Sequence, residues 1–151
     1  KSGKGGLPEA TAGPAPPPRA GVWMLEVTAI SARNLPKMDT FGTCDPFVRV
    51  ELGPHRRETH HIAGTYDPAW HLPLEPFELL KPGEKNPRDL VAEVLDWDKM
   101  GSPDLVGRHV VTSANLHEFI QAFEGEVARH KGKGGLPAAR RWSGVKEYGL
   151  E

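Results

Sequence analysis

The stretch PFVRVELG, residues 46–53, alternates between apolar and charged side chains. Its two valines and its leucine fall on one face, with Arg49 and Glu51 on the other, which is the two-residue period of a strand with one buried face. The stretch DLVAEVLDW, residues 89–97, is apolar on both faces apart from Glu93. That pattern is typical of a central strand. These two segments predict a domain built on a β-sheet.

Four further runs on either side of these segments are also typical of strands, at 22–30, 56–64, 70–80 and 105–113. The first alternates and predicts one face made of Trp23, Leu25, Val27 and Ala29. The second is short and polar, as an edge strand would be, and two prolines confine the third to an edge or a bulge. Six such runs in about ninety residues, separated by turn residues, predict an all-β fold, an antiparallel β-sandwich.

The two ends of the chain differ from this pattern. Apolar residues at helical spacing predict an amphipathic helix over about 115–131, formed by Leu116, Phe119, Ile120, Phe123 and Val127. Asn115 and Glu118 have the spacing of a capping box at its start, and a last strand is predicted at about 139–148. Thirteen of residues 1–20 are Gly, Pro or Ala, which predicts a flexible linker before a single domain at 21–151.

Composition excludes several classes of protein. The 19 Lys and Arg balance the 20 Asp and Glu, so a dedicated nucleic-acid binder, which carries a basic excess, is not expected. No apolar run approaches the roughly 20 residues of a membrane span, and no signal-peptide run opens the chain. Cys44 is the single cysteine. These features predict a soluble protein of a reducing compartment. We also expect the isolated domain to be monomeric.

Two loops, 36–46 and 95–107, concentrate acidic residues. Their aspartates are Asp39 and Asp45 in the first loop and Asp96, Asp98 and Asp104 in the second. Aspartate is common in turns, so any one of the five could be only a turn residue. Five carboxylates close together would repel one another unless a cation neutralised them. Oxygen ligands in flexible loops suit Ca²⁺, which takes about six to eight of them.

Other metal and catalytic motifs fit the sequence poorly. DWDKMG matches the first half of an EF-hand loop, but the twelfth position would be Gly107 instead of Glu. A zinc or hydrolytic enzyme would have to use His55, His60, His61 and His71. Their spacing matches no zinc motif, and Cys44 has no partner triad. We therefore do not expect an enzyme.

Several segments together resemble the C2 domain family, as in synaptotagmins and protein kinase C. They are LEVTAISARNLPKMD (25–39), CDPFVRVEL (44–52), the basic strand that follows, TYDPAW (65–70) and VAEVLDWDKMGSPDLVGR (91–108). The resemblance covers about residues 21–113. It implies an eight-stranded antiparallel β-sandwich with Greek-key connections, and a helical insertion longer than many family members show. Either of the family's two circularly related topologies is compatible with it.

The resemblance also implies a set of site residues. The Ca²⁺ ligands would be the carboxylates of Asp39, Asp45, Asp96, Asp98 and Asp104 with the backbone carbonyls of Met38 and Trp97. Phe41 and Met100, at the loop tips, would insert into the membrane interface, although Phe41 could instead fold back onto its own loop. Arg56, Arg57 and His60 would form a basic patch for lipid headgroups, or else belong to an ordinary solvated strand.

The function implied is Ca²⁺-dependent binding of anionic phospholipid membranes. The domain would act as a targeting module of a larger protein and associate peripherally with a membrane in the cytoplasm. Without metal the acidic loops would repel anionic headgroups, and bound Ca²⁺ would reverse that sign. The alternative is a C2 domain that docks protein partners or self-assembles, with Ca²⁺ structural or absent. Liposome pelleting with and without Ca²⁺ separates the two.

Overall fold

The structure is a computed structural model that describes residues 21–38, 42–71 and 73–130, with side chains described as far as residue 125. Its elements in chain order are β1 (Trp23–Leu25), β2 (Ile30–Ser31), β3 (Pro46–Leu52), β4 (His55–Glu58), β5 (Ala69–Trp70), β6 (Phe77–Leu80), β7 (Leu90–Asp96), β8 (Asp104–Val111) and α1 (Ser113–His130). The linker predicted at 1–20 and the last strand predicted at 139–148 lie outside the described residues. Within the described part, α1 is not apolar enough to cross a membrane.

The strands form antiparallel sheets, as predicted. The largest sheet has the order β4-β3-β7-β8, and β1 pairs with β6 while β2 pairs with β5. The predicted central strand β7 is paired on both sides, although only its last three residues, Val94, Leu95 and Asp96, are buried. The apolar face of β3 packs into one core with Trp70 of β5 and Phe77 of β6. The prediction of an all-β antiparallel fold with eight strands is confirmed.

Two predicted strands are broken in the structure. The run 22–30 divides into β1 and β2, which pair with different partners. Beyond Val27 the buried face shifts by one residue, so Ile30 packs against the core while Ala29 is exposed. The run 70–80 divides at its prolines into β5 and β6, because proline has no N–H to donate to a strand ladder.

The helix begins at Ser113, two residues before its predicted start. The Thr112 hydroxyl oxygen accepts a hydrogen bond from the Asn115 N–H at 3.3 Å, so Thr112 is the N-cap. The predicted capping box of Asn115 and Glu118 is therefore wrong. Contacts distant in sequence fix this start, since the Ser113 N–H donates to the Asp89 carboxylate at 2.6 Å.

The apolar stripe of α1 packs on the sandwich, as its spacing predicts. Leu116 and Ile120 are buried members of the core. The ring of Phe123 meets that of Trp23 edge-on, with 5.4 Å between the ring centroids. The helix therefore covers the β1 side of the core through residues 116–123.

Candidate metal and membrane site

Strand register brings the two acidic loops together. Pro46 of β3 lies opposite Asp96 of β7, and Asp96 lies opposite Asp104 of β8. Asp45, directly before β3, therefore sits beside Asp96 and Asp104 at one end of the sheet. Asp98 follows two residues after the end of β7. Antiparallel pairing alone thus gathers carboxylates that lie far apart in the sequence.

These carboxylates surround one pocket of about 450 Å³. Its lining residues are Gly42, Thr43, Asp45, Asp96, Trp97, Asp98, Lys99 and Asp104. Four of the five predicted acidic ligands thus share a pocket. Asp39 lies outside the described residues, as does Phe41. Lys99 is the one basic residue among the lining side chains, so the described wall is strongly acidic.

Backbone donors hold one oxygen of three of these carboxylates. The Asp45 N–H donates to Asp96 Oδ1 at 2.7 Å, and the Gly64 N–H donates to Asp45 Oδ1 at 2.8 Å. The Met100 N–H donates to Asp98 Oδ1 at 2.9 Å within its own loop. Asp96 is only 7% exposed, and a buried charge needs a hydrogen-bond partner. Of the three bonds, the one that Asp96 accepts from the Asp45 N–H therefore matters most. In each case these bonds leave the other carboxylate oxygen for a ligand.

The donor set fits a hard cation. All four side chains offer carboxylate oxygens, which suit Ca²⁺ better than zinc. Across the ranges that the structure describes, no three Asp, Glu, His or Cys side chains stand close enough to hold a metal ion in their present positions. Within the same ranges, the histidines of the zinc alternative, His55, His60, His61 and His71, form no such group either.

Comparison with known proteins decides the family. The family model for the C2 domain matches residues 23–128, which is most of the chain. The chain belongs to the C2 domain family. The resemblance to this family is thereby confirmed.

This C2 domain is similar to segments of much longer proteins. It is 34% identical over 93 residues to synaptotagmin-3 of Arabidopsis thaliana, a match that covers 60% of this chain and 16% of that protein. It is 40% identical over 87 residues to RasGAP-activating-like protein 1 of Mus musculus, a match that covers 58% of this chain and 10% of that protein. The chain thus spans a small part of the length of the curated relatives it matches.

Two solved structures share the fold. A C2 domain of RIM from Drosophila aligns with a TM-score of 0.54 at 24% identity, covering 62% of this chain and 77% of that one. A C2 domain of plant extended synaptotagmin 1 aligns with a TM-score of 0.53 at 26% identity, covering 64% of this chain and 72% of that one. Both alignments agree with the fold described above.

The two loops that contribute pocket-lining residues also expose apolar side chains. Met100 is 88% exposed in the loop after β7, whereas Trp97 is 40% exposed and Met38 36% exposed. Such exposure is what the predicted insertion of Met100 requires. Exposing a methionine side chain to water is unfavourable, because its burial in an apolar environment lowers the free energy.

An aromatic contact that the sequence analysis missed lies at the pocket wall of this C2 domain. The rings of His61 and Trp97 stack nearly parallel, at an interplanar angle of 3° with 4.2 Å between centroids. Thirty-six positions separate the two residues, and no motif links them. The contact forms because the segment after β4 runs back beside Pro46, whose carbonyl accepts from the Ile62 N–H at 3.0 Å.

The predicted basic patch is charge-balanced in the structure. The Arg56 guanidinium lies 2.7 Å from the Glu51 carboxylate, and that of Arg57 lies 3.1 Å from Glu75. Arg57 also sits 5.1 Å above the ring of Phe77, a cation–π distance. The sequence alone does not show which acidic residues of neighbouring segments pair with these arginines. The patch therefore has less free positive charge than its sequence suggests, and its role in headgroup binding stays a prediction.

Acidic and basic side chains also alternate across neighbouring strands. Across the four-stranded sheet, one row of paired residues reads Glu58, Arg49, Glu93 and Arg108. Ion-pair distances run from 2.7 Å between Arg49 and Glu58 to 3.9 Å between Arg49 and Glu93. This row of four side chains therefore carries no net charge, whereas four carboxylates and one lysine line the pocket.

Proposed function

We propose that this C2 domain is a membrane-targeting, non-catalytic module that binds anionic phospholipid when Ca²⁺ is present. It would associate peripherally with a membrane in the cytoplasm as part of a larger protein. One observation carries the proposal: four aspartates line a single pocket, and Met100, which directly follows the lining residue Lys99, is 88% exposed. The synaptotagmin relatives support a membrane role.

The chain's own residues explain how the switch would work. Asp45, Asp96, Asp98 and Asp104 would hold Ca²⁺ together with Asp39 and the backbone carbonyls of Met38 and Trp97. When bound, Ca²⁺ supplies positive charge and coordination positions that lipid phosphate or carboxylate oxygens can complete. Without it the same aspartates repel anionic headgroups across the pocket mouth, where Lys99 offers little compensation.

This arrangement makes the binding of metal and of membrane interdependent. Because the pocket opens to solvent, its carboxylates cannot complete the coordination shell, and we expect weak Ca²⁺ affinity without lipid, on the order of 10⁻⁵ to 10⁻³ M. Thermodynamic linkage then requires lipid to raise the Ca²⁺ affinity by the same factor as Ca²⁺ raises the lipid affinity.

Pelleting with phosphatidylserine-containing vesicles tests the proposal. The protein should sediment with the vesicles in Ca²⁺ and stay in the supernatant in a chelator, and phosphatidylcholine vesicles should capture little in either condition. Equal sedimentation with and without Ca²⁺ would contradict the switch. No sedimentation in any condition would favour the alternative, a C2 domain that docks protein partners or self-assembles.

Met100→Ser should weaken Ca²⁺-dependent vesicle binding without changing Ca²⁺ affinity in solution. Full burial of a methionine side chain gives about 1.5–3 kcal/mol, so its loss corresponds to roughly ten- to hundredfold weaker membrane binding. Vesicle titration and calorimetry measure the two affinities. Met24→Ser is the control, since Met24 is also exposed but lies on β1 and not in the loop after β7. Unchanged vesicle affinity of the Met100→Ser variant would show that this loop does not insert.

The basic patch of Arg56, Arg57 and His60 is a second, weaker proposed contact for headgroups. Replacing both arginines by glutamine should lower the affinity for phosphoinositide-containing vesicles by less than about threefold, because Glu51 and Glu75 already neutralise these guanidinium groups. Vesicle titration at low salt measures the loss. A loss of roughly tenfold or more would mean that the patch is a principal lipid site and that its ion pairs open on binding.

A further inference from the structure

We propose that His61 is a positioning residue for the Ca²⁺ site. Its ring, stacked on Trp97 at 4.2 Å, would hold the segment 97–100 so that Asp98 faces the pocket. This inference rests on the proposed function, because it assigns His61 to the same metal site. His61 itself is not among the lining residues of the pocket and would act only through Trp97.

The acidic residues of the pocket differ in how firmly they are held. Asp96 lies within β7 and is fixed by the ladders on both sides and by the Asp45 N–H at 2.7 Å. Asp98 lies beyond the strand end, is exposed, and bonds within its own loop to the Met100 N–H. Of these two neighbours, Asp98 is the one whose position depends on the loop.

Trp97 is the residue that ties this loop to the sandwich. Its N–H donates to the Asp45 carbonyl at 3.0 Å, which fixes the backbone at the start of the loop. Its indole ring is fixed by the parallel stack on His61. With both its backbone and its ring held, Trp97 sets the direction in which the chain continues into Asp98. Removing the His61 side chain would free the Trp97 ring, and the backbone from Trp97 into Asp98 would then be less firmly oriented.

His61 is itself a rigid support. The segment that carries it bonds to β3, two residues before it through the Thr59 N–H to the Val48 carbonyl at 2.9 Å and directly after it through the Ile62 N–H to the Pro46 carbonyl at 3.0 Å. The Trp70 indole donates to the adjacent His60 carbonyl at 2.8 Å. Because this segment is held by hydrogen bonds, the His61 ring can restrain the loop that contains Trp97. A ring on a segment without such bonds would move together with the loop.

Three variants of the full 151-residue chain separate positioning from general stability. His61→Ala removes the stack, His61→Phe restores a flat ring without imidazole nitrogens, and His55→Ala removes a histidine at the far end of β3, where His55 pairs with Leu52. Two measurements are made on each variant. Calorimetry with CaCl₂, in the absence of lipid, gives the metal affinity. Amide hydrogen exchange of residues 97–101 in a chelator reports loop order without metal.

We expect His61→Ala to weaken Ca²⁺ affinity about two- to tenfold, in line with the loss of one stacked ring pair, and to speed exchange of the Met100 amide. His61→Phe should restore both values to within about twofold, and His55→Ala should match the parent. A His61→Ala variant with parental affinity and exchange would overturn the proposal. A His61→Phe variant as weak as His61→Ala would also overturn it, because stacking would then not be the cause.

The two measurements also distinguish this proposal from the proposed function. If the parent takes up no Ca²⁺, the proposed function fails, and a role for His61 in metal binding fails with it. The exchange data would still decide whether His61 orders the loop. If the parent binds Ca²⁺ and the loop exchanges equally fast in every variant, the metal site stands and His61 does not position it.

Discussion

Replacing Asp96 and Asp98 together by asparagine should abolish Ca²⁺ binding while the domain stays folded. The two carboxylates stand on adjoining parts of the pocket wall, and the backbone bond to each uses only one of its two oxygens. An amide oxygen is a far weaker ligand than a carboxylate for a hard dication, and two negative charges are lost from the site. Calorimetric titration with CaCl₂ measures the loss, and vesicle pelleting should become insensitive to Ca²⁺.

The fold should survive because the structural hydrogen bonds of both residues use an oxygen that asparagine retains. The Asp96→Asn side chain still accepts from the Asp45 N–H, and the Asp98→Asn side chain still accepts from the Met100 N–H. Loss of repulsion among neighbouring carboxylates should leave the metal-free melting temperature unchanged or raise it. Thermal unfolding in a chelator checks this expectation.

A matched control uses aspartates of similar structural role away from the pocket. Asp67 accepts from the Asn34 N–H at 3.0 Å, and Asp89 accepts from the Ser113 N–H at 2.6 Å. The double variant Asp67→Asn with Asp89→Asn changes net charge by the same amount and should bind Ca²⁺ as the parent does. A doubly substituted Asp96 and Asp98 variant that still binds Ca²⁺ with parental affinity would refute the ligand assignment.

Much of the fold could be predicted from local patterns. Strict alternation in 46–53 and the apolar run in 89–97 correspond to β3 and β7, because a strand paired on both sides is stabilised along its whole length. Edge segments were predicted less well. The run 22–30 appears continuous in sequence but switches between two partner strands, and a change of partner leaves no mark in the periodicity.

The start of α1 also could not be predicted from the local sequence. Asn115 and Glu118 satisfy a local capping rule, yet Thr112 caps α1. The start is set by Asp89 and by the Pro87 carbonyl, which lie more than twenty residues earlier in the chain. A capping pattern read from sequence cannot include such tertiary partners.

Part of the candidate site could be predicted from the sequence and part of it could not. The positions of four aspartates follow from the loops and the strand register, so their convergence could be anticipated. Contacts between surface side chains that lie far apart in the sequence could not be anticipated. The stack of His61 on Trp97 and the pairing of Arg57 with Glu75 depend on which segments lie side by side. The pairing reduces the free positive charge that the sequence suggested for Arg57.

Trp70→Ala should be the most damaging single substitution for the stability of the domain. Trp70 is 1% exposed, within the core that β3, β6 and α1 share. Truncating a buried tryptophan costs about 3–5 kcal/mol, from lost burial and from the cavity that remains. Since domains of this kind are stable by only about 5–15 kcal/mol, much of the free energy of unfolding would be lost. Urea denaturation monitored by circular dichroism measures it.

Two companion variants show where the effect comes from. Trp70→Phe keeps an aromatic ring in the core but removes the indole N–H that donates to the His60 carbonyl at 2.8 Å, and should cost about 1–3 kcal/mol. Trp23→Ala removes a tryptophan that is only half-buried and should cost less than Trp70→Ala. A loss below about 1 kcal/mol for Trp70→Ala would show that the core does not close around this side chain. Because the same indole bonds to the residue beside His61, Trp70→Phe should also disturb the support under Trp97, and so weaken Ca²⁺ binding more than its effect on stability alone would suggest.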